Sequence, residues 1–267
     1  MNSSYILGRG QYLRVAVGAT QNGNTFDFSF TEPRFMGLKI SSGVDLYLRN
    51  NSETDLSFYG SQVAGGQLRF GMPITDEVSL TGMVGYERKT IDDNDATNAD
   101  VVDGLVLNKA FVGYSLAYNS LDDQTRPTSG LLAVLNQQYA GWDHNYIRSE
   151  IKARYFVPIN EEYRIIGSIK GQAGIINDLS GGAMSYTEAF YPGPNLVRGF
   201  AAKGLGPRLA SGEAVGTLAY AGISAEIEFP MPVLPDSYGL SASVWADLGY
   251  LGGAPTTVAA VTQGIDQ

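Results

Sequence analysis

Three residues of this chain are suited to one specific polar interaction: Arg198, Glu226 and Asp247. A guanidinium presents five donors in a planar fork and holds two carboxylates at once by directional hydrogen bonds, which an ammonium cannot imitate. Glu226 and Asp247 both fall on the polar side of segments that alternate apolar and polar residues, and Arg198 is the only nearby group suited to both. Glu228 shares that polar side and ranks below them as an acceptor. The chemistry open to such a set is mechanical coupling, not bond breaking. A plain alternative stands against it: an Arg-Gly-Phe in a loop is commonly a solvated turn, and a lone carboxylate an ordinary polar-face residue.

Arg198 is carried by a stretch from about Ile176 to Ala214 that has no strand or helix pattern. Connections in compact domains are about 4–6 residues long, and a much longer one is functional or disordered. Phe190, Tyr191, Leu196, Val197, Phe200 and Leu205 make this one too apolar for a solvated tail. Its glycines and prolines are spaced as turn chemistry. Such a loop is built to pack inside something.

The rest of the chain supplies the container. Period-two alternation marks eleven candidate strands: Gln11–Thr20, Thr25–Glu32, Gly37–Leu48, Phe58–Gly71, Glu77–Arg88, Leu107–Asn119, Leu131–Tyr139, Asn145–Val157, Tyr163–Ile175, Gly216–Phe229 and Tyr238–Tyr250. In the eighth, Ile147, Ile151, Ala153 and Tyr155 alternate with Arg148, Glu150, Lys152 and Arg154. That many charges on one face do not suit a dry core, whereas a wet lumen accepts them. No segment reads as a helix of useful length.

Short turns follow every second strand, at Glu32–Gly37, Pro73–Glu77, Pro158–Glu162 and Phe229–Ser237. Between them lie longer loops near Asn50–Ser57, Thr90–Gly104, Ile176–Ala214 and after Leu251. Short turns on one side and long loops on the other describe an antiparallel transmembrane β-barrel of the outer-membrane kind, whose tilted strands of about 10 residues span a bilayer. On alternation alone a soluble β-sandwich stays open, because the apolar face serves equally well as a packed core.

Composition agrees with an all-β chain rich in turns: 33 glycines among 267 residues are well above the usual ~7%, and 16 tyrosines and 11 phenylalanines add 27 aromatics. No apolar run reaches the ~18 residues of a membrane helix. The net charge of −9 argues against a nucleic-acid partner, and the absence of cysteine excludes disulfides and thiolate metal sites. The opening residues lack the basic and apolar regions of a secretory signal, which an outer-membrane protein needs, so a membrane reading implies a fragment. Enzyme signatures are missing: there is no Gly-x-Ser-x-Gly elbow, His-Glu-x-x-His or phosphate loop. The single histidine, His144, reads as a surface loop residue. The pairs Asp122-Asp123 and Glu161-Glu162 read as solvated turn charges, and Asp92, Asp93 and Asp95 lack the ligand spacing of a calcium loop. No catalytic residue, metal or cofactor is expected.

Val197-Arg198-Gly199-Phe200, flanked by Phe190-Tyr191 and by Gly206-Pro207-Arg208, resembles the V-R-G-F/Y signature on the long sixth extracellular loop of BamA-type outer-membrane barrel assembly proteins. Similar matches run in order along nearly the whole chain. They are Pro127-Thr128-Ser129-Gly130 in a periplasmic turn, Tyr155-Phe156-Val157-Pro158-Ile159 at a strand end, Ser224 to Pro232, and Trp245-Ala246-Asp247-Leu248-Gly249. Ile6-Leu7-Gly8-Arg9-Gly10 is similar to the turn before the family's third strand, so the eleven strands correspond to about the third to thirteenth of roughly sixteen. The resemblance implies an outer-membrane barrel domain over 1–267, incomplete at both ends and without the soluble POTRA domains, with 176–214 folded into its lumen.

The resemblance further implies that Arg198 docks the loop tip on the inner wall through Glu226 and Asp247, that Gly199 lets the backbone turn, and that Phe200 anchors the tip by burying its ring. The implied activity is folding and inserting other barrels into a Gram-negative outer membrane. Its partners would be unfolded β-barrel clients, outer-membrane lipid and the accessory lipoproteins of an assembly complex. Two rivals are a two-partner-secretion-type polypeptide translocator of related architecture and a passive diffusion pore narrowed by the loop.

Overall fold

The computed structural model describes residues 4–5, 10–20, 23–52, 59–92, 104–181, 184–208, 214–231 and 240–255. They form one antiparallel sheet in which each strand pairs with its neighbours in sequence, from β1 to β12. β1 (Ser4–Tyr5) is a two-residue stub. The full strands are β2 (Tyr12–Thr20), β3 (Gly23–Glu32), β4 (Ser41–Asn51), β5 (Gly60–Pro73), β6 (Val78–Asp92), β7 (Val106–Asn119), β8 (Gly130–Trp142), β9 (Tyr146–Asn160), β10 (Ile165–Asp178), β11 (Ala219–Pro230) and β12 (Ser241–Gly252). Each of the eleven sequence-predicted strands has its counterpart among β2 to β12. Helical structure among the described residues is confined to two three-residue 3-10 turns, Phe35–Gly37 and Tyr186–Glu188.

Alternation settles the choice between barrel and sandwich. Val17, Leu48, Val112, Ile151, Ile169 and Val244 are all exposed, and Leu248 is 72% exposed. No second sheet covers them among the described residues. A sandwich would bury this face, whereas a barrel turns it to lipid. On the other face, charges pair across strands: Ser29 donates to Asp45 at 2.7 Å, Arg69 pairs with the same carboxylate, and Tyr47 donates to Glu87 at 2.8 Å. The full strands, β2 to β12, run from nine to fifteen residues, enough to cross a bilayer when tilted.

Strand ends differ from the sequence expectation for local reasons. Predicted strand Gly37–Leu48 begins inside a turn: Met36 has φ 54° and Leu38 lies outside the ladder, so pairing starts only at Ser41. Pro158 belongs to β9 rather than to a turn. A register shift between Ile165 and Ile166 gives β9 one extra residue, the bulge that lets a strand carry a proline without its N–H. The predicted loop 176–214 becomes an excursion over 179–218, because Ile176, Asn177 and Asp178 continue to pair with Arg148, Ile147 and Tyr146. The turn at 229–237, the acidic residues Asp93 and Asp95, and residues 6–9 of the predicted opening turn lie largely or wholly outside the described residues.

Asp122 and Asp123 do more than solvate a turn. Asp122 accepts from Thr128 Oγ1 at 2.5 Å and from the N–H of Ser129 at 3.1 Å, while Asp123 accepts from the N–H groups of Thr125 and Arg126. Those bonds, the one from Thr128 first, hold the Asp122 carboxyl well below the usual carboxylate range. The turn ends on Gly130 at φ +107°, where a Cβ would meet the carbonyl oxygen of Ser120 at 2.2 Å, so only glycine closes it.

The dry core lies at the long-loop end of the sheet, not between two sheets. One cluster joins Ile91, Tyr186 and Val215; another joins Phe111, Ala140, Tyr146, Ile176, Met184 and Phe190. Both contain residues of the 179–218 excursion. Since the same excursion touches β6, β7 and β9 at one point and β11 and β12 at another, the sheet is curled around it.

Candidate functional site

The excursion enters the lumen with a capped turn. Ser185 accepts the N–H of Thr187 at 3.2 Å and starts Tyr186–Glu188. Phe190 and Thr217 then form an antiparallel bridge that closes the stem, and Arg208 and Ala214 form a second one. Between the bridges the chain descends to its tip, where Leu196 and Val197 both donate their N–H to the carbonyl of Gly193.

At the tip Arg198 makes five hydrogen bonds to the wall. Its backbone N–H and its Nε both donate to Asp247 Oδ2 at 2.9 Å, Nη2 donates to Asp247 Oδ1 and to Ser224 Oγ at 2.7 Å, and Nη1 donates to Glu226 Oε2 at 2.8 Å. Ser224 in turn donates to Asp247 Oδ1 at 2.6 Å. The guanidinium lies over the Trp245 ring, 4.6 Å from its centre, which adds a cation–π contact. The bonds to Asp247 are the largest influence on its pKa and raise it further above an already high value; burial opposes them, and the bond to Glu226 adds to the rise. Register explains the convergence: Ser224 pairs with Asp247 and Glu226 with Trp245, so four inward side chains of two strands meet one fork. Asn195 adds β10 to the contact, its carbonyl accepting from Lys170 Nζ at 2.8 Å and Gln172 Nε2 at 2.6 Å.

Two expectations fail. Phe200 is 42% exposed and does not bury its ring; Leu196, 5% exposed, is the buried apolar residue of the tip. The wall makes room for it. Gly222 and Gly249 face each other across β11 and β12, and a Cβ on Gly222 would meet Leu196 Cδ1 at 2.3 Å. Facing glycines on the polar side of adjacent strands were the sequence signal for this seat. Glu228 lies apart from the fork: it lines a separate cavity toward the short-turn end with Arg154, Phe156 and Arg164. Gly199, at φ +92° with nothing near its missing side chain, is placed to turn the backbone away from the wall.

A second constellation escaped sequence reasoning. Glu188, 8% exposed, accepts from Lys89 Nζ at 2.7 Å, Lys109 Nζ at 3.3 Å and Tyr146 Oη at 2.5 Å. Lys89 also donates to the carbonyl of Thr187, and Lys109 pairs with Glu87 at 2.8 Å. Burial pushes the Glu188 carboxyl up, but the Lys89 and Lys109 charges and the bonds from Lys89 and Tyr146 outweigh it and hold the group down at about 2. His144 borders the same site. No signal in Ser-Tyr-Thr-Glu distinguishes this glutamate, since its partners lie some 42 to 99 residues away in the chain.

A family model described as the Omp85 superfamily domain matches residues 6–264. The chain belongs to the Omp85 superfamily. Relatives within it include the outer membrane protein assembly factor BamA of Neisseria meningitidis serogroup B, 26% identical over 91% of this chain, and that of Nitratidesulfovibrio vulgaris, 25% identical over 91%. This Omp85 chain spans about a third of the length of these curated relatives, 34% and 31%. Its fold is similar to the crystal structure of BamA from Haemophilus ducreyi lacking POTRA domains 1–3, with a TM-score of 0.81 at 20% identity over 92% of this chain and 53% of that one. As an Omp85 barrel segment it resides in the bacterial outer membrane, its apolar face toward lipid and its long loops toward the exterior.

Proposed function

We propose that the chain is the central part of the barrel of an outer-membrane assembly factor, one that folds and inserts other β-barrels, and that the docked loop tip braces the lumen wall during this work. The observation that carries the reading is the Arg198 fork, which ties one loop to β11 and β12 through Glu226, Ser224 and Asp247. The assembly-factor role of the Neisseria and Nitratidesulfovibrio relatives supports the choice among Omp85 activities.

The work is mechanical. A barrel seam that opens exposes strand edges, which template a client strand by β-augmentation. Three strands held in fixed register by the loop give that opening a rigid part to move against. Residues 1–267 then act as an outer-membrane barrel domain, with unfolded barrel proteins as clients, lipid as solvent and accessory lipoproteins as companions.

The test is reconstitution of the full-length protein in liposomes, with an unfolded outer-membrane barrel offered from outside and its folding read by heat-modifiable gel mobility. Accelerated folding of the client supports the proposal. Robust single-channel conductance without client insertion would assign a diffusion pore, and passage of an unfolded polypeptide into the vesicles would assign a translocator.

A further inference from the structure

We propose that Glu188 is a positioning residue that fixes the first half of the loop as a stationary stopper across the outer end of the lumen, so that any release of the loop begins at its tip. The inference deepens the reading of the loop as a brace and rests on it. Glu188 stands near the ends of β6, β7 and β9 on the long-loop side, bound to one side chain from each: Lys89, Lys109 and Tyr146. Glu87 and Tyr47 extend the set to β4. Two carboxylates and two ammoniums make the set neutral. Apolar packing closes it in, with Tyr186 against Ile91 and Val215 on one side and Phe190 against Tyr146 and Ile176 on the other. Arg148 lies over the Phe190 ring at 4.2 Å, below that layer.

The tip is held differently. The Arg198 side chain is about a third exposed and borders a cavity of about 260 Å³ lined by Arg154, Ser168 and Lys170. Undocking the tip hands its charges to water, whereas withdrawing Glu188 leaves Lys89 without a carboxylate in a dry layer, beside the Lys109–Glu87 pair. One loop therefore carries a fixed half and a releasable half, ten residues apart at their anchors.

Two measurements on the full-length protein decide the matter. The first is hydrogen–deuterium exchange of the unmodified protein in membranes, where segment 184–191 is expected to exchange at least about a hundredfold more slowly than 193–201. Equal rates would overturn the proposal. The second is conductance in planar bilayers of Glu188→Ala and of Glu188→Leu combined with Lys89→Met, which removes the acceptor together with one ammonium and leaves Lys109 paired with Glu87; folding is checked by gel mobility. A folded variant is expected to raise mean conductance by at least about tenfold, and Arg198→Ala to raise it far less. Wild-type conductance in the folded double variant, or equal opening by Arg198→Ala, would overturn the proposal. Neither readout involves a client polypeptide, so a failed insertion assay and a failed stopper are separable.

Discussion

Replacing Arg198 by alanine removes four of the five hydrogen bonds that hold the loop tip, leaving only the one from its backbone N–H to Asp247. Exposed ion pairs are worth about 0.2–1 kcal/mol, and breaking a buried one is worth about 3–5 kcal/mol. The guanidinium is a third exposed and Asp247 only 6% exposed, so the loss falls between these limits, at about 2–3 kcal/mol. At about 1.4 kcal/mol per tenfold, the open fraction of the tip rises roughly 30- to 150-fold. Hydrogen–deuterium exchange of segment 193–201 in the full-length protein reads that ratio directly, because protection of a local segment scales with its closing equilibrium. Arg198→Lys keeps the charge but lacks the fork and recovers no more than about 1 kcal/mol. Unchanged exchange in the alanine variant, or wild-type protection in the lysine variant, would refute the reasoning.

Leu196→Ala empties the seat over Gly222 and Gly249 and is expected to destabilise the docked tip by about 2–3 kcal/mol, seen as faster exchange of the same segment with no change in urea midpoint of the barrel. Acid releases the other anchor: Glu188 is held at about 2 against an ordinary 4.5, so its stabilisation is complete above pH ~4.5 and disappears as pH falls toward 2. The groups facing it are Lys89, Lys109, Tyr146 and His144, with Glu87 behind Lys109. The protection factor of 184–191, exchange taken relative to the intrinsic rate at each pH, should therefore fall only below pH ~4.5; loss of protection above pH ~5 would contradict the assignment. Gly130→Ala forces a side chain against the Ser120 carbonyl at φ +107° and is expected to lower barrel stability by about 2–3 kcal/mol in urea unfolding, with Thr128→Val milder.

The strands were legible because a barrel wall imposes one rule on every residue, lipid or water, and the rule recurs with period two. Ile151 and Lys152 announce their faces without knowledge of any partner. Strand ends were less legible because they depend on pairing rather than on pattern: Ile176 to Asp178 look like loop and are held by Arg148 to Tyr146. Arg198, Glu226 and Asp247 were readable through charge type and face. Phe200 misled because a ring's burial depends on which neighbour has left space, and the space made by Gly222 and Gly249 admits Leu196 instead. Glu188 carried no local mark at all, since its identity as an anchor is written in Lys89, Lys109 and Tyr146 on three other strands.

The central claim is that the tip must be docked on β11 and β12 for clients to be inserted. The chain contains no cysteine, so Leu196→Cys with Gly222→Cys places a single reversible bond between tip and wall. Client insertion by the full-length protein carrying this pair together with Arg198→Ala measures the claim directly. The account predicts insertion lost under reducing conditions and restored on oxidation. Insertion at the wild-type rate with the bond reduced, or no recovery once it has formed, would contradict it.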